Sequence, residues 1–416
     1  MTWQSILQTA TVVMAAFTAL CYAYQFVYLF IPYLFKKRAC TGDKLHRYAI
    51  LIAARNEEKV LPHLLESISR QDYPSELIRM FVVADNCTDN TAQAAREMGA
   101  TVFVRNDTRL IGKGYALNFL LKKIEETEGL DSFDAFMIFD ADNLLQPDYM
   151  RQINRVHASG YEAFCGYRNT KNFGSSWLSA GYGVWYLHDS VHMNGSRMAL
   201  GASCMVNGTG FGFSREVLRK CNQWEFFTLT EDIEFSIWCV ANGIKIGYCH
   251  DAILFDEQPM RFPQSWRQRT RWAQGGIQIL FKRSKELFSG WAKGGWQTYS
   301  SYEFTTLSTW GYGLGIISGV LTAITITACQ GLTHFLVFLP LLLVSTYLSM
   351  LTIGAWTVLT QWHRIRAKTR HKLLGVFTFP LYLLTFVPIA VCAPFCKFQW
   401  TPTAHTVAIS EVDAKL

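Results

Sequence analysis

The chain contains no CxxC pair, no HExxH run and no complete GxxxxGK[ST] loop, so zinc modules, zinc peptidases and P-loop nucleotide sites are not in prospect. Lys113 lies in Gly112-Lys113-Gly114, but position 107 is Asp where a P-loop needs Gly, and Gly114 stands where it needs Ser or Thr. The 11 cysteines are odd in number and scattered, which leaves no compact disulfide framework and implies single buried thiols in a reducing compartment. No basic stripe marks the polar part of the chain, which excludes a nucleic-acid surface. The net charge of +7 is assigned instead to Lys and Arg flanking membrane segments. Charge itself vanishes between Glu303 and Arg364.

That uncharged stretch is long enough for two membrane helices, over roughly 306–330 and 335–360, with a break near Gln330, Gly331 and His334. Thr9 to Phe35 is a further apolar run. No Lys or Arg precedes it, while Lys36, Lys37 and Arg38 follow, the reverse of a secretory leader. It is expected to be a retained span whose C-terminal end is cytoplasmic. A basic loop, 361–372, separates the central spans from a last apolar run, Leu373 to Cys396. Pro380, Pro388 and Pro394 interrupt that run and suggest a broken or re-entrant helix. The expected organisation is an N-terminal span in 1–39, a cytoplasmic domain over 40–296 ending in interfacial helices, about three spans in 297–397, and a tail over 398–416.

The middle region has an α/β pattern. Tyr48–Ala54 is a continuous apolar run of the kind a strand buried on both faces requires. Leu61, Leu64, Leu65 and Ile68 then follow helical spacing. Met80–Ala84 ends on Asp85, Thr101–Val104 makes a third run, a helix is expected near 114–127, and Ala135–Phe139 ends on Asp140. Strands alternating with helices imply a mainly parallel, Rossmann-like sheet, which binds ligands outside the carboxyl ends of its strands. The polar clusters lie at those ends: Arg55, Asn56 and Glu57; Asp85 and Asn86; Asp140, Asp142 and Asn143.

Three short motifs carry chemistry. Asp140-Ala-Asp142 places two carboxylates beyond a strand, hard oxygen ligands suited to Mg²⁺ or Mn²⁺, although Asp-x-Asp also occurs in ordinary turns. Thr230-Glu231-Asp232 precedes an apolar-periodic helix. It reads either as an acidic helix start or as the source of a general base. Gln268-Arg-Thr-Arg271-Trp272 puts a guanidinium and an indole on one helical face, suited to a phosphate and a sugar ring, or to membrane headgroups. Asn207-Gly-Thr-Gly-Phe-Gly212 reads as a close backbone approach to a ligand or as a tight strand-and-turn region.

In this order and between these apolar segments, the motifs resemble the family 2 glycosyltransferases. The likeness is greatest to the processive membrane synthases of cellulose, hyaluronan, chitin and bacterial poly-N-acetylglucosamine. The resemblance implies a GT-A fold, a UDP-sugar donor (UDP-GlcNAc or UDP-glucose), Mg²⁺ or Mn²⁺, and an inverting displacement that leaves a β-linkage. It matches Ala53, Arg55, Glu57, Asp85, Lys113 and Asp140 to the donor nucleotide, and Asp140 and Asp142 to the metal. It matches Asp232 to the catalytic base, and Glu231, Gln268, Arg271 and Trp272 to the acceptor and diphosphate. The expected setting is a multi-pass cell-membrane protein with a cytoplasmic catalytic domain, a glycan or glycolipid acceptor, membrane lipids as partners, and a homo-oligomer or accessory membrane subunit. A transferase acting once on a lipid is the competing expectation, and a non-catalytic membrane scaffold the third.

Overall fold

The computed structural model describes residues 2–35, 40–307 and 309–396. Lys36, Lys37 and Arg38 and the tail 398–416 lie outside the described residues.

Eight strands form one sheet: β1 (Tyr48–Ala54), β2 (Ile78–Asp85), β3 (Thr101–Arg105), β4 (Ala135–Asp140), β5 (Leu144–Leu145), β6 (Ala163–Thr170), β7 (Phe211–Ser214) and β8 (Ile246–Asp256). Their spatial order is β3-β2-β1-β4-β7-β6-β8-β5. β1 pairs in parallel with β2 on one side and β4 on the other, and β2 pairs in parallel with β3. This is the parallel half expected from the alternating pattern. The other half is mixed: β7 runs antiparallel to β4 and β6, β6 runs parallel to β8, and β5 is antiparallel to β8.

β1 is continuously apolar because helices cover both of its faces. Its side chains alternate between two clusters, as strand geometry demands. Ala49 and Leu51 pack with Leu117, Leu120, Leu121 and Ile124 of the helix Lys113–Thr127. Tyr48, Ile50 and Ile52 pack with Leu61, Leu64, Leu65 and Ile68 of the helix Leu61–Ser69. Each fully buried side chain of this size adds about 1.5–3 kcal/mol. The chain passes from β1 to β2 and β3 on one side, then returns to β4 on the other. The switch point therefore falls at the carboxyl ends of β1 and β4.

Among the described residues, four helices are long and apolar enough to cross a membrane: Trp3–Leu34, Gly313–Gln330, Leu332–Thr360 and Thr369–Phe395. The break between the central two falls at Gly331 (φ +91°), a conformation glycine adopts without penalty. The last apolar helix is broken at Thr385, between the segments Thr369–Leu384 and Phe386–Cys392.

The apolar helices are tied to the domain by polar bonds. Ser196 Oγ donates to the Tyr28 carbonyl (3.0 Å) and Asn169 Nδ2 to the Arg364 carbonyl (2.9 Å), while Trp356 Nε1 donates to the Leu29 carbonyl (2.9 Å) and joins two of the apolar helices to each other. Arg197 and Glu303, both fully buried, pair at 3.4 Å beneath the first helix. Removing one partner strands the other charge. Arg197→Met or Glu303→Leu alone is expected to cost about 3–5 kcal/mol, and the double substitution less than either. Thermal unfolding of the solubilised variants checks this.

Candidate active site

The strand ends converge at the switch point. β1 gives way to Asn56 (φ +58°) and β2 to Asn86 (φ +52°), both in the left-handed region that asparagine tolerates. Asn56 Oδ1 accepts from the Thr88 amide (2.7 Å), and the Glu57 amide donates to Thr91 Oγ1 (2.8 Å), so the two loops hold one another. Ala53 lies directly opposite Asp140 on the neighbouring strand. Asp85 is buried and accepts from Arg105 Nη1 (2.6 Å) and Asn86 Nδ2 (3.0 Å). Burial pushes its carboxyl above the ordinary range, and the charges of Arg105 and Arg55 pull against that shift.

Lys113 opens the helix Lys113–Thr127 and spans the cleft. Its Nζ donates to Asp140 Oδ1 (2.5 Å) and to the carbonyl of Gly208 (2.6 Å). Burial works against this ammonium, but Asp140, Glu231 and Asp232 outweigh it and hold Lys113 protonated above the usual lysine range. The helix fits here because residue 114 is Gly: a Cβ there would lie 2.1 Å from the Phe226 carbonyl oxygen. Gly114 thus serves close packing, and Gly112 the positive φ (+143°) at the start of the helix.

The segment after Phe226 leads to Thr230 and the helix Glu231–Ala241. It is anchored by Trp224, which is buried at φ +79° among Phe211, Phe213, Phe226 and Phe235. Such a conformation in a bulky residue persists only where its surroundings over-determine it. Burial, and then the charge of Asp232, push Glu231 up to about 7, against Lys113 and Arg271. Asp232 is also raised, chiefly by burial and against Lys113 and Arg168. A carboxylate raised toward neutrality suits proton abstraction.

The raised Glu231 has a stability consequence. Between the ordinary carboxylate range and about pH 7, the folded chain keeps a proton that the unfolded chain has lost, so stability falls as pH rises through that window. Glu231→Gln removes the penalty. It is expected to raise the melting temperature at pH 8, by an effect on the order of 2 kcal/mol, and to change little at pH 4.5.

The helix Phe262–Gly290 brings in the third motif. Gly275 lets it lie on Thr230, since a Cβ there would be 2.5 Å from Thr230 Oγ1. Arg283 (2.9 Å) and Lys282 (2.7 Å) pair with Glu234 and fix the two helices together. Arg271 acts on Glu231, the Trp272 ring meets the edge of Tyr182 at 5.9 Å, and the Gln268 side-chain oxygen is buried without a hydrogen-bond partner among the described residues.

The two halves of Asp140-Ala-Asp142 diverge. Asp140 faces Lys113, whereas Asp142 is buried, its Oδ2 accepting from the Glu257 amide (2.8 Å). No three carboxylate, His or Cys side chains converge on one point among the described residues. By donor chemistry both are hard oxygens of the kind a Mg²⁺-type ion takes with few protein ligands, phosphate and water completing its shell, and the part-exposed Asp140 is the one that opens on the cleft. The sequence patterns missed a second tier. Arg168 donates from Nε to Asp256 Oδ2 (2.6 Å) and from Nη1 to the Asn207 carbonyl (2.6 Å), and lies 3.7 Å over the Tyr186 ring. Asp189 accepts from Asn207, the residue before Gly208. In the glycine-rich segment, Gly208 (φ +77°) keeps open the space between Arg168 Nη1 and Asp232 Oδ2, each 3.7 Å from where its Cβ would be.

The fold and this cleft define a GT-A glycosyltransferase. Residues 46–275 match the family model described as glycosyltransferase-like family 2, and the chain belongs to that family. It is 27% identical over 235 residues to the beta-monoglucosyldiacylglycerol synthase of Synechocystis sp., covering 55% of this chain and 47% of that protein. It is 27% identical over 252 residues to the poly-beta-1,6-N-acetyl-D-glucosamine synthase of Staphylococcus aureus, covering 59% and 58%. The chain thus spans about half the length of these curated relatives. Among solved structures, the mannosyltransferase PcManGT from Pyrobaculum calidifontis, in complex with GDP-Man and Mn²⁺, aligns with a TM-score of 0.57 at 17% identity, over 92% of this chain and 98% of that one. That likeness bears on the fold.

Proposed function

We propose that the protein transfers a sugar from a UDP-sugar, UDP-GlcNAc or UDP-glucose, to the end of a growing β-linked polysaccharide at the membrane. The observation that carries this reading is the Lys113 bridge, an ammonium bound to Asp140 and Gly208 within the field of Glu231 and Asp232. It puts nucleotide-side and base-side residues in one cleft.

In this reading residues 40–296 form the catalytic unit, on the cytoplasmic side of spans at either end. Ala53, Arg55, Glu57 and Asp85 line the seat of the base and ribose. Asp232 accepts the proton of the acceptor hydroxyl as its oxygen attacks the anomeric carbon. The bond from that carbon to the diphosphate breaks on the opposite face, and the configuration inverts. UDP leaves with the bonding pair, its charge met by Lys113 and Arg271. Mg²⁺ or Mn²⁺, held by Asp140 and Asp142, would neutralise the diphosphate. Glu231, Gln268 and Trp272 seat the acceptor, the indole offering a flat face to a sugar ring.

A second reading, a single transfer to a lipid, is favoured by the likeness to a diacylglycerol-glycosylating relative. The test is UDP release by detergent-solubilised protein with each donor, with and without Mn²⁺ or Mg²⁺. Release that requires metal and one donor supports the reading, and product size separates polymer from glycolipid. No release with either donor, with diacylglycerol and oligosaccharide acceptors both present, would overturn it.

A further inference from the structure

We propose that Arg269, the second residue of the Gln268–Trp272 motif, is a positioning residue that makes the broken last apolar helix part of the acceptor seat. The family match ends at residue 275, whereas the groups that hold Arg269 lie more than a hundred positions later.

Arg269 is fully buried and points away from the face that carries Gln268, Arg271 and Trp272. Its Nη1 donates to the Tyr382 carbonyl (3.2 Å) and to Thr385 Oγ1 (2.6 Å), at the break in the last helix. Its guanidinium lies 4.9 Å from the Tyr382 ring and 4.8 Å from that of Phe386. No carboxylate pairs with it among the described residues, so the cation is held by the carbonyls of Tyr382 and Ser265, the Thr385 hydroxyl and aromatic faces.

A buried cation is an expensive way to join two helices, because apolar side chains of the same volume do so without desolvating a charge. What the guanidinium adds is direction: its Nη1 binds a carbonyl and a hydroxyl at the helix break while rings lie at 4.9 and 4.8 Å, and together these fix the rotation of the motif helix about its axis. One turn before Arg269, Ser265 Oγ hydrogen-bonds Tyr182 OH (3.0 Å), and the ring of Tyr182 is the one that meets Trp272. Further along the same helix, Gln274 Nε2 donates to the carbonyls of Ala393 (3.2 Å) and Cys396 (2.9 Å). The motif helix is therefore clamped to the last apolar segment on both sides of Trp272. Rotating it by a few degrees would swing the indole and leave β1, β2 and β4 in place, so that the nucleotide side would feel the change only through Arg271.

This inference rests on the proposed transferase reading for its acceptor, and the experiment keeps the two separable. Arg269→Lys and Thr385→Val are compared with the unmodified full-length protein in detergent. The donor is whichever of UDP-GlcNAc or UDP-glucose turns over. The acceptors are a β-linked N-acetylglucosamine pentamer and dioleoylglycerol. The expected result is a rise in acceptor KM of roughly tenfold for Arg269→Lys and a smaller rise for Thr385→Val, with Thr385→Ser restoring it. Donor KM and acceptor-free UDP release, which feel the helix only through Arg271, should change by less than acceptor KM. Adding Trp272→Ala to Arg269→Lys should raise acceptor KM no further than Trp272→Ala alone. Hydrogen exchange supplies a reading that needs no turnover: Thr385→Val should accelerate exchange over 266–275 and not over 231–241. Donor and acceptor constants moving together, additive effects with Trp272→Ala, or unchanged exchange over 266–275 would each overturn the proposal. An unmodified protein that releases no UDP defeats the transferase reading and leaves the exchange result to decide the clamp.

Discussion

Asp232→Asn should abolish sugar transfer, lowering the rate by about 10²- to 10⁴-fold, while nucleotide binding survives. The amide keeps the shape of the carboxylate but cannot take the acceptor's proton. The residues proposed for the nucleotide side, Asp85 and Lys113 with Asp140, sit on β2, β4 and the helix between them and depend only in part on the charge of Asp232. The substitution has an internal check. Asp232 is one reason Glu231 is raised, so the asparagine variant should bring Glu231 down toward the ordinary carboxylate range. Equilibrium binding of UDP beside a radiolabelled transfer assay measures both parts. A variant that kept more than a tenth of the rate would move the base to another residue, with Glu231 first in line.

The second large effect should come from a single methyl group. In Gly114→Ala the new Cβ would stand 2.1 Å from the Phe226 carbonyl oxygen. That atom is backbone, and its residue is wedged between Trp224 and Phe235, so it cannot swing aside as a side chain would. Either the helix Lys113–Thr127 retreats and takes Lys113 from Asp140, or the 226–230 segment moves and takes Glu231 and Asp232 with it. Overpacking of this kind costs about 1–3 kcal/mol, and a displacement near 1 Å in a site can cost about 10²-fold in rate. Melting temperature and transfer rate should both fall. Gly313→Ala is the control: a Cβ there meets nothing within 4 Å, and both quantities should hold.

These two residues differ in how readable they were. β1, β2 and β4 could be traced from sequence because strands covered on both faces need no alternation, and their polar termini stand out against apolar runs; β3, a part-exposed edge strand, shows only as a short apolar run. Asp85 and Asp140 follow from that pattern, and Asp232 from the acidic start of an apolar-periodic helix. The mixed half could not be traced in the same way. β7 has four residues, and β8 carries His250 and Asp251 in its middle, opposite the register shift between Cys165 and Tyr167. Arg168 and Asp256 escaped notice because each is meaningful only beside the other, 88 positions away. Arg105 was overlooked for a related reason: it ends a strand, as Asp85 does, but a cation at a strand end matches no short motif. The reason for glycine at 114 is a carbonyl more than a hundred residues downstream, and no local pattern encodes that. The prolines of the last apolar run did foretell a break, though it falls at Thr385, between Pro380 and Pro388.

The clamp on the motif helix also sets an order in time. A ribosome delivers Asp85, Asp140 and Asp232 long before it delivers Tyr382 and Thr385, so a nascent chain has its nucleotide side built while the helix bearing Trp272 is still unmoored. The acceptor side closes only when the final apolar segment is in place. On the proposed reading, a chain stalled or misinserted before that point is left with a half-made site, and transfer begins only once the last apolar segment is in place.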